Sequence, residues 1–235
     1  MHTTSFPIET RYRAIQDRLA DAAKQSGRVP SDITLLAVSK RQPDALVRQL
    51  AALGHQAFGE NLVQEWRRKQ AEMADLDALE WHVIGPVQTN KAKFIARHKP
   101  SLVHTVDRIS LIDALEKRID EADVQRVLLQ VNIDSEAQKA GVAVEDLREL
   151  ATQAAASERL ELAGLMCIPA AGTDTQRAFA QLRHLSERIA DLCVGPVELS
   201  MGMSHDFESA IAEGATIVRV GSALFGPRDT GLQTA

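Results

Sequence analysis

Three groups of residues in this chain have types and spacings suited to chemistry. The first is Lys40, which follows the nearly unbroken apolar run Ile33–Val38 in "ITLLAVSKRQPDAL". An ammonium at the end of a buried strand must reach water, find a partner or lose its charge. A desolvated amine with a lowered pKa is a nucleophile toward aldehydes. The plain alternative is a lysine that snorkels off a strand end into solvent. The second group is "SMGMSHDFESAI", where Ser200, Gly202 and Ser204 lead into a helix predicted to begin at Ser204 or His205, with Asp206 and Glu208 in its first turn. Peptide N–H groups at such a turn can hold an anion. Gly221 and Ser222 in "VRVGSALFG" supply a second small turn. The plain alternative is a pair of ordinary loop glycines and a helix cap. The third is Arg219, inside an apolar strand. Alternation places Ile217, Arg219 and Gly221 on one face and Thr216, Val218 and Val220 on the other. A guanidinium turned inward needs an acceptor, either a core carboxylate or a ligand ring nitrogen or carboxylate.

These residues must be held by a framework, and the hydrophobic pattern predicts one. Ile8, Tyr12, Ile15, Leu19 and Ala22 or Ala23 fall on one face of an opening helix, ended by Gly27 and Pro30. Strands are predicted at Ile33–Val38, Ala57–Phe58, Trp81–Ile84, Leu102–His104, Val127–Asn132, Leu160–Met166, Val197–Ser200 and Thr216–Val220. Helical stretches lie between them. The clearest has Ala178, Phe179, Leu182, Leu185, Ile189 and Leu192 as its apolar stripe, and another runs through Ile109, Ile112, Leu115 and Ile119. Eight alternating units in one chain of this length predict an α/β fold, a (β/α)₈ TIM-type barrel with an extra N-terminal helix. An open doubly wound sheet would carry a glycine-rich turn after its first strand, and "SKRQPD" has no glycine. No linker or repeat divides the chain, so residues 1–235 are expected to form one domain, with a loose tail at about 228–235.

In such a barrel chemistry sits at the C-terminal strand ends. The predicted strand ends supply Lys40; Gly59, Glu60 and Asn61; His82, Gly85, Gln88, Asn90 and Lys91; Asn132 and Lys139; and the two loops above. Phosphate commonly binds in the loops after the seventh and eighth strands. A lysine across from a phosphate site and an inward arginine points to Schiff-base chemistry on a phosphorylated aldehyde. Either a sugar phosphate, as in a class I aldolase, or pyridoxal phosphate meets that description.

Composition narrows the partners. The net charge is −5 with no basic block, which argues against nucleic acid. No apolar run approaches a membrane span, and "MHTTSFPIETRYR" lacks the features of a signal peptide, so a cytoplasmic location is expected. Two cysteines without CxxC pairing and seven histidines without metal-ligand spacing predict neither a disulfide framework nor a zinc site.

Taken together, "LLAVSK", "FGENLVQE", "LEWHVIGPVQTNKAK", "VHTVDR", "VNIDSEAQKAGV", "GLMCIP" and "LSMGMSHDFESAIAEGATIVRVGSALFG" resemble the pyridoxal phosphate homeostasis proteins. Those are single-domain relatives of the alanine racemase barrel, the fold type III of pyridoxal-phosphate proteins. The resemblance spans about Ile33 to Arg228. It implies a pyridoxal 5′-phosphate cofactor held as a Schiff base on Lys40. It implies a phosphate held by Ser200, Met201, Gly202 and Ser204 with Gly221 and Ser222, and a pyridine nitrogen faced by Arg219. Asn61 would sit beside the ring, His82 and Asn90 would line the pocket, and Lys139 would be a second lysine on the rim.

A permanent cation beside the pyridine nitrogen disfavours its protonation and restrains carbanion chemistry. Racemisation needs an acid–base group on each face of the substrate. In alanine racemases one is a tyrosine on a C-terminal β-domain, and here the sole tyrosine is Tyr12 in the first helix. Cys167 is the candidate second base, although a small packing residue is the simpler role for it. The expectation is therefore a monomeric, non-catalytic carrier or buffer of pyridoxal phosphate, with cofactor-dependent apoenzymes as recipients. A low-activity amino-acid racemase is the alternative.

Overall fold

The computed structural model describes residues 7–136 and 138–226. The predicted loose tail lies outside the described residues. Eight parallel strands close into a barrel in sequence order, with the last paired to the first. They are β1 (Thr34–Val38), β2 (Ala57–Glu60), β3 (Glu80–Val83), β4 (Leu102–Val106), β5 (Gln125–Val131), β6 (Leu160–Cys167), β7 (Glu198–Ser200) and β8 (Ile217–Val220). The helices are α1 (Ile8–Gln25), α2 (Asp44–Ala52), α3 (Val63–Glu72), α4 (Ala92–His98), α5 (Ile109–Glu116), α6 (Leu147–Ala155), α7 (Thr175–Glu187), α8 (Phe207–Ala212) and α9 (Ser222–Phe225).

Two apolar layers hold the barrel. Leu36, Ala57, Ile84, Leu102, Leu128, Ala163, Met166 and Ile217 fill the interior, with Val38 above them. Phe58, Val83, Val103, Val127 and Val218 point outward into the helix layer, against residues such as Leu50, Trp66, Ile95, Leu111, Phe179 and Phe207. Alternation along each strand produces this division. The stripe Leu36–Val38 on β1 carries on in parity to Lys40, which brings that residue to the mouth. The register Leu36↔Arg219 shows that Arg219 shares the inward face with Ile217.

The opening helix buries the face read from its spacing: Ile8, Tyr12, Ile15, Leu19, Ala22 and Ala23. It seals the seam where the barrel closes. Arg11 Nε donates to the Leu224 carbonyl at 2.6 Å, and Nη2 donates to that of Phe225 at 3.2 Å.

Strand ends shift by a residue or two, with β4 running on to Val106 and β5 starting at Gln125, and three elements differ in ways that have a clear cause. β2 runs two residues further, because Gly59 and Glu60 continue the ladder opposite His82 and Val83. The stripe on α7 breaks at Glu187, and Leu192 sits in a separate 3₁₀ turn, Ala190–Leu192. α8 begins at Phe207 rather than Ser204 or His205. The reason is local: Asp206 Oδ1 accepts the Met203 N–H at 2.6 Å, so residues 203–206 close a turn of their own before the helix starts.

Candidate functional site

At the C-terminal mouth of the barrel lies a cavity of about 260 Å³. It is lined by Val38, Lys40, Gln42, Asn61, Ile84, Ile168, Met203, Ser204, His205, Arg219, Gly221, Ser222 and Gly226. That is just under the roughly 300–1,000 Å³ of a drug-sized ligand pocket, so the cavity suits one small molecule. A larger depression lies over α7 and Val144. It is mostly a surface of α7 and gathers no comparable set of groups.

Each wall of the mouth cavity has a structural cause. Lys40 stands two residues past β1, half-buried, in a turn closed by the Gln42 N–H donating to the Ser39 carbonyl at 3.0 Å. Asn61 follows β2, and its carbonyl lies so close to Gly85 that a Cβ there would come within 2.0 Å of it. Only glycine allows the loop after β2 to rest on the end of β3 in this way. Thr105 Oγ1 donates to the Gly85 carbonyl at 2.7 Å and fixes that contact.

Beside the end of β1, the loops after β7 and β8 meet, with Gly221 packed against Val38. Gly202 has φ +87°, and a Cβ on it would lie 2.5 Å from the Ala210 Cβ and 2.9 Å from the Phe207 Cα. Its carbonyl accepts the Arg219 N–H at 3.0 Å, which ties the first loop to β8. Met201 is fully buried beneath the loop, and its N–H donates to the Ile217 carbonyl. The Ala223 N–H lies 3.5 Å from Ser204 Oγ, which links the two loops across the cavity. In the short α9 the Leu224 and Phe225 N–H groups donate to the Gly221 carbonyl at 3.0 and 2.9 Å, which leaves those of Ser222 and Ala223 outside the helix's own bonding.

Beneath the cavity a buried polar chain crosses the barrel. Arg219 Nη1 donates to Ser200 Oγ and Nη2 to the Cys167 carbonyl, each at 2.8 Å. Ser200 Oγ lies 2.8 Å from His104 Nδ1, and His104 Nε2 lies 2.9 Å from His82 Nδ1. Burial pushes the His82 imidazole down to about 4 and holds that of His104 well below its ordinary value. Both rings are therefore neutral at pH 7. Arg219 can only donate, so the arrangement that also gives the Ser200 proton an acceptor runs in one direction. Ser200 accepts from Arg219 and gives its own proton to His104 Nδ1. His104 then gives its Nε2–H to His82 Nδ1. Among the described residues no carboxylate accepts a hydrogen bond from Arg219, so this cation is almost fully buried without an anionic partner at bonding distance. A buried cation in that condition favours a ligand that supplies acceptors.

Lys40, Asn61, Ser204, Arg219, Gly221 and Ser222 are thus brought together in one cavity. Ser200, Met201, Gly202 and His82 lie just behind it as supports. Asn90 is not among them: it is exposed in a 3₁₀ turn, Thr89–Lys91. Lys139 is not among the cavity walls; its Nζ lies 3.2 Å from Asp134 Oδ2 and 3.5 Å from the carbonyl of Ile168, which is one of them. Burial pushes the Cys167 thiol up to about 12, so it carries its proton at neutral pH. Tyr12 lies 3.3 Å from His55, which bonds the Ala57 carbonyl at the start of β2, at the opposite end of the barrel. Ile84, Ile168 and Gln42 were missed as cavity walls. Ile84 was the most accessible, since alternation puts it on the same face as His82.

The family described as "Alanine racemase, N-terminal domain" matches residues 12–229. A pyridoxal phosphate homeostasis protein of Pseudomonas aeruginosa is 48% identical over 91% of this chain and 93% of its own. One from Escherichia coli K12 is 41% identical over 92% of this chain and 94% of its own. The chain belongs to the pyridoxal phosphate homeostasis protein family. Among solved structures, PipY of Synechococcus elongatus, described with pyridoxal phosphate (PLP) bound, is 38% identical with a TM-score of 0.78, covering 90% of this chain and all of PipY. Alanine racemase from Corynebacterium glutamicum is 19% identical with a TM-score of 0.67, covering 95% of this chain and 63% of the racemase. The racemase therefore shares the fold. Among the described residues no helix is long and apolar enough to cross a membrane, and no cluster of three or more potential metal ligands occurs.

Proposed function

We propose that this chain binds pyridoxal 5′-phosphate and serves its homeostasis, holding it covalently through Lys40 Nζ and passing it to cofactor-dependent apoenzymes. The observation that carries this reading is the meeting, in one cavity, of Lys40, an almost fully buried Arg219 with neutral hydrogen-bond partners, and the paired small-residue loops at Ser204 and Gly221–Ser222. The donor set fits the group. Ser204, Ser222 and the N–H groups at the start of α9 would hold the phosphate, with Gly202 letting the loop pack close behind it. Arg219 would face the ring nitrogen, and Asn61 would lie at the ring edge. PLP supplies a reactive aldehyde, and this chain's residues bind, orient and shield it.

Restraint follows from the same residues. Arg219 stays protonated at neutral pH, so a ring nitrogen facing it would be kept unprotonated. The Cys167 thiol keeps its proton at neutral pH, which removes it as a second base. A non-catalytic role follows, in keeping with relatives named for homeostasis. The test is the visible spectrum of the purified protein, then borohydride reduction and peptide mass mapping. The expected result is a yellow protein bleached by reduction, with a phosphopyridoxyl group on Lys40. A protein that stays colourless and unlabelled with added PLP overturns the proposal.

A further inference from the structure

Behind Lys40 lies a charged cluster that the cavity does not reach. Lys69 on α3 and Glu60 at the end of β2 are both fully buried, with Lys69 Nζ 2.6 Å from Glu60 Oε1. Lys69 Nζ also donates to the Ser39 carbonyl at 2.5 Å. Ser39 Oγ donates to the same Glu60 oxygen at 2.7 Å. Glu65, one turn before Lys69, lies 3.4 Å from Nζ and accepts the Arg41 N–H at 2.6 Å. Arg41 has φ +57°, a left-handed conformation that a side chain as large as arginine rarely adopts. The hydrogen bonds of the cluster thus end on Ser39 or on Arg41, the two neighbours of Lys40.

Such a cluster is a poor way to gain stability. Burying an ion pair costs desolvation that apolar residues of similar volume avoid. Here part of that cost stays uncompensated, because Glu60 Oε2 is buried with no hydrogen-bond partner among the described residues. Burial pushes the Glu60 carboxyl up, against the pull of Lys69. Strained backbone and imperfectly paired buried charge gather where a structure must hold one geometry.

We propose that Lys69, Glu60 and Glu65 form a positioning unit for Lys40, clamping the backbone on both sides of it and so setting how its amine meets a carbonyl in the cavity. The inference rests on the cofactor reading above and adds to it a set of residues that touch no ligand. Positioning of this kind acts on bond formation to the aldehyde and leaves recognition of ring and phosphate alone. Pyridoxine 5′-phosphate, which has an alcohol in place of the aldehyde, separates the two.

The test compares equilibrium binding of PLP and of pyridoxine 5′-phosphate, together with the rate of borohydride-trapped labelling at Lys40. Three variants are compared with the parent: Glu65→Ala, Glu65→Gln and the paired Lys69→Met/Glu60→Leu, which strands no buried charge. Glu65→Ala is expected to weaken PLP binding and slow labelling by about tenfold or more, since small misplacements of a reacting group cost factors of this size. Pyridoxine 5′-phosphate affinity is expected to stay within about twofold of the parent in the same variant. Glu65→Gln keeps an acceptor for the Arg41 N–H and is expected to restore most of the loss. The paired variant leaves the buried Ser39 carbonyl and hydroxyl without their partners, so it is expected to lose some thermal stability and to show the same selective loss between the two ligands. Labelled parent protein beside Glu65→Ala that binds and labels equally well overturns the inference, as does an equal loss for both ligands. A parent that is never labelled at Lys40 overturns the cofactor reading itself, and this inference with it.

Discussion

The polar chain under the cavity makes a quantitative claim about stability. Replacing His104 with leucine keeps the volume and removes both ring nitrogens. Two groups then lose their partners: the Ser200 hydroxyl proton and His82 Nδ1. Each buried group left without a partner costs about 1–3 kcal/mol, so His104→Leu is expected to destabilise by about 4 kcal/mol. In a chain of this length that lowers Tm by about 8–16 °C. His82→Leu orphans one nitrogen, His104 Nε2, and is expected to cost about 2 kcal/mol. The double variant orphans only the Ser200 proton and is expected to cost about 2 kcal/mol as well. The two changes should therefore be coupled by about 4 kcal/mol, measured by urea unfolding of the cofactor-free proteins. Acid adds a second readout. His82 titrates at about 4 when folded, against 6.5 for an ordinary histidine. Its contribution is whole above pH 6.5 and is lost as pH falls toward 4, because only the unfolded chain takes up the proton in that interval. The loss is about 3 kcal/mol, and the double variant should not show it. Single-variant costs that simply add, or a double variant with the parent's acid dependence over this range, would refute the hydrogen-bonded chain.

Three further outcomes are expected. Lys40→Ala should abolish borohydride-stable labelling yet keep weaker phosphate-anchored binding, with cofactor-free stability within about 0.5 kcal/mol of the parent; a larger loss by urea titration would make this lysine a structural residue. Gly202→Ala must place a methyl against Ala210 and Phe207 at positive φ, so it should lose about 1–3 kcal/mol and weaken phosphate binding, read by unfolding and by competition with inorganic phosphate. Cys167→Ser should leave solvent-deuterium exchange into amino acids unchanged at neutral pH, since a thiol near 12 supplies no base there; an exchange rate that falls in this variant would restore the cysteine to a chemical role.

The barrel was legible because its strands are apolar runs at regular spacing and its closure needs no special residue. The same pattern placed Lys40, Ser204, Arg219, Gly221 and Ser222 at one mouth. Asn90 was misplaced because position after a strand end does not say how far a loop travels before it turns, and a 3₁₀ turn carries this residue to the surface. The acceptor of Arg219 was also hidden. Alternation gave two candidate faces, and only the register with Leu36 and the contact with Ser200 decide between them. Lys69 was missed outright, although the signal was present. Val63, Trp66 and Lys69 follow each other at helical spacing, so a lysine occupies the apolar stripe of α3. Its meaning depends on Glu60 and Ser39, which are distant in sequence and adjacent only once β1 and β2 pair.

The closure of β8 onto β1 also fixes an order in time. A ribosome delivers Lys40 with the first strand and the small-residue loops with the last two. Roughly 180 residues separate Lys40 from Ser222, so at about 5–20 residues per second the amine precedes its anchor by roughly 10–40 s. During that interval the lysine is an ordinary amine on a growing chain, open to any aldehyde. The proposed site needs both groups, so it is assembled only when the final strand docks, in the same event that closes the barrel.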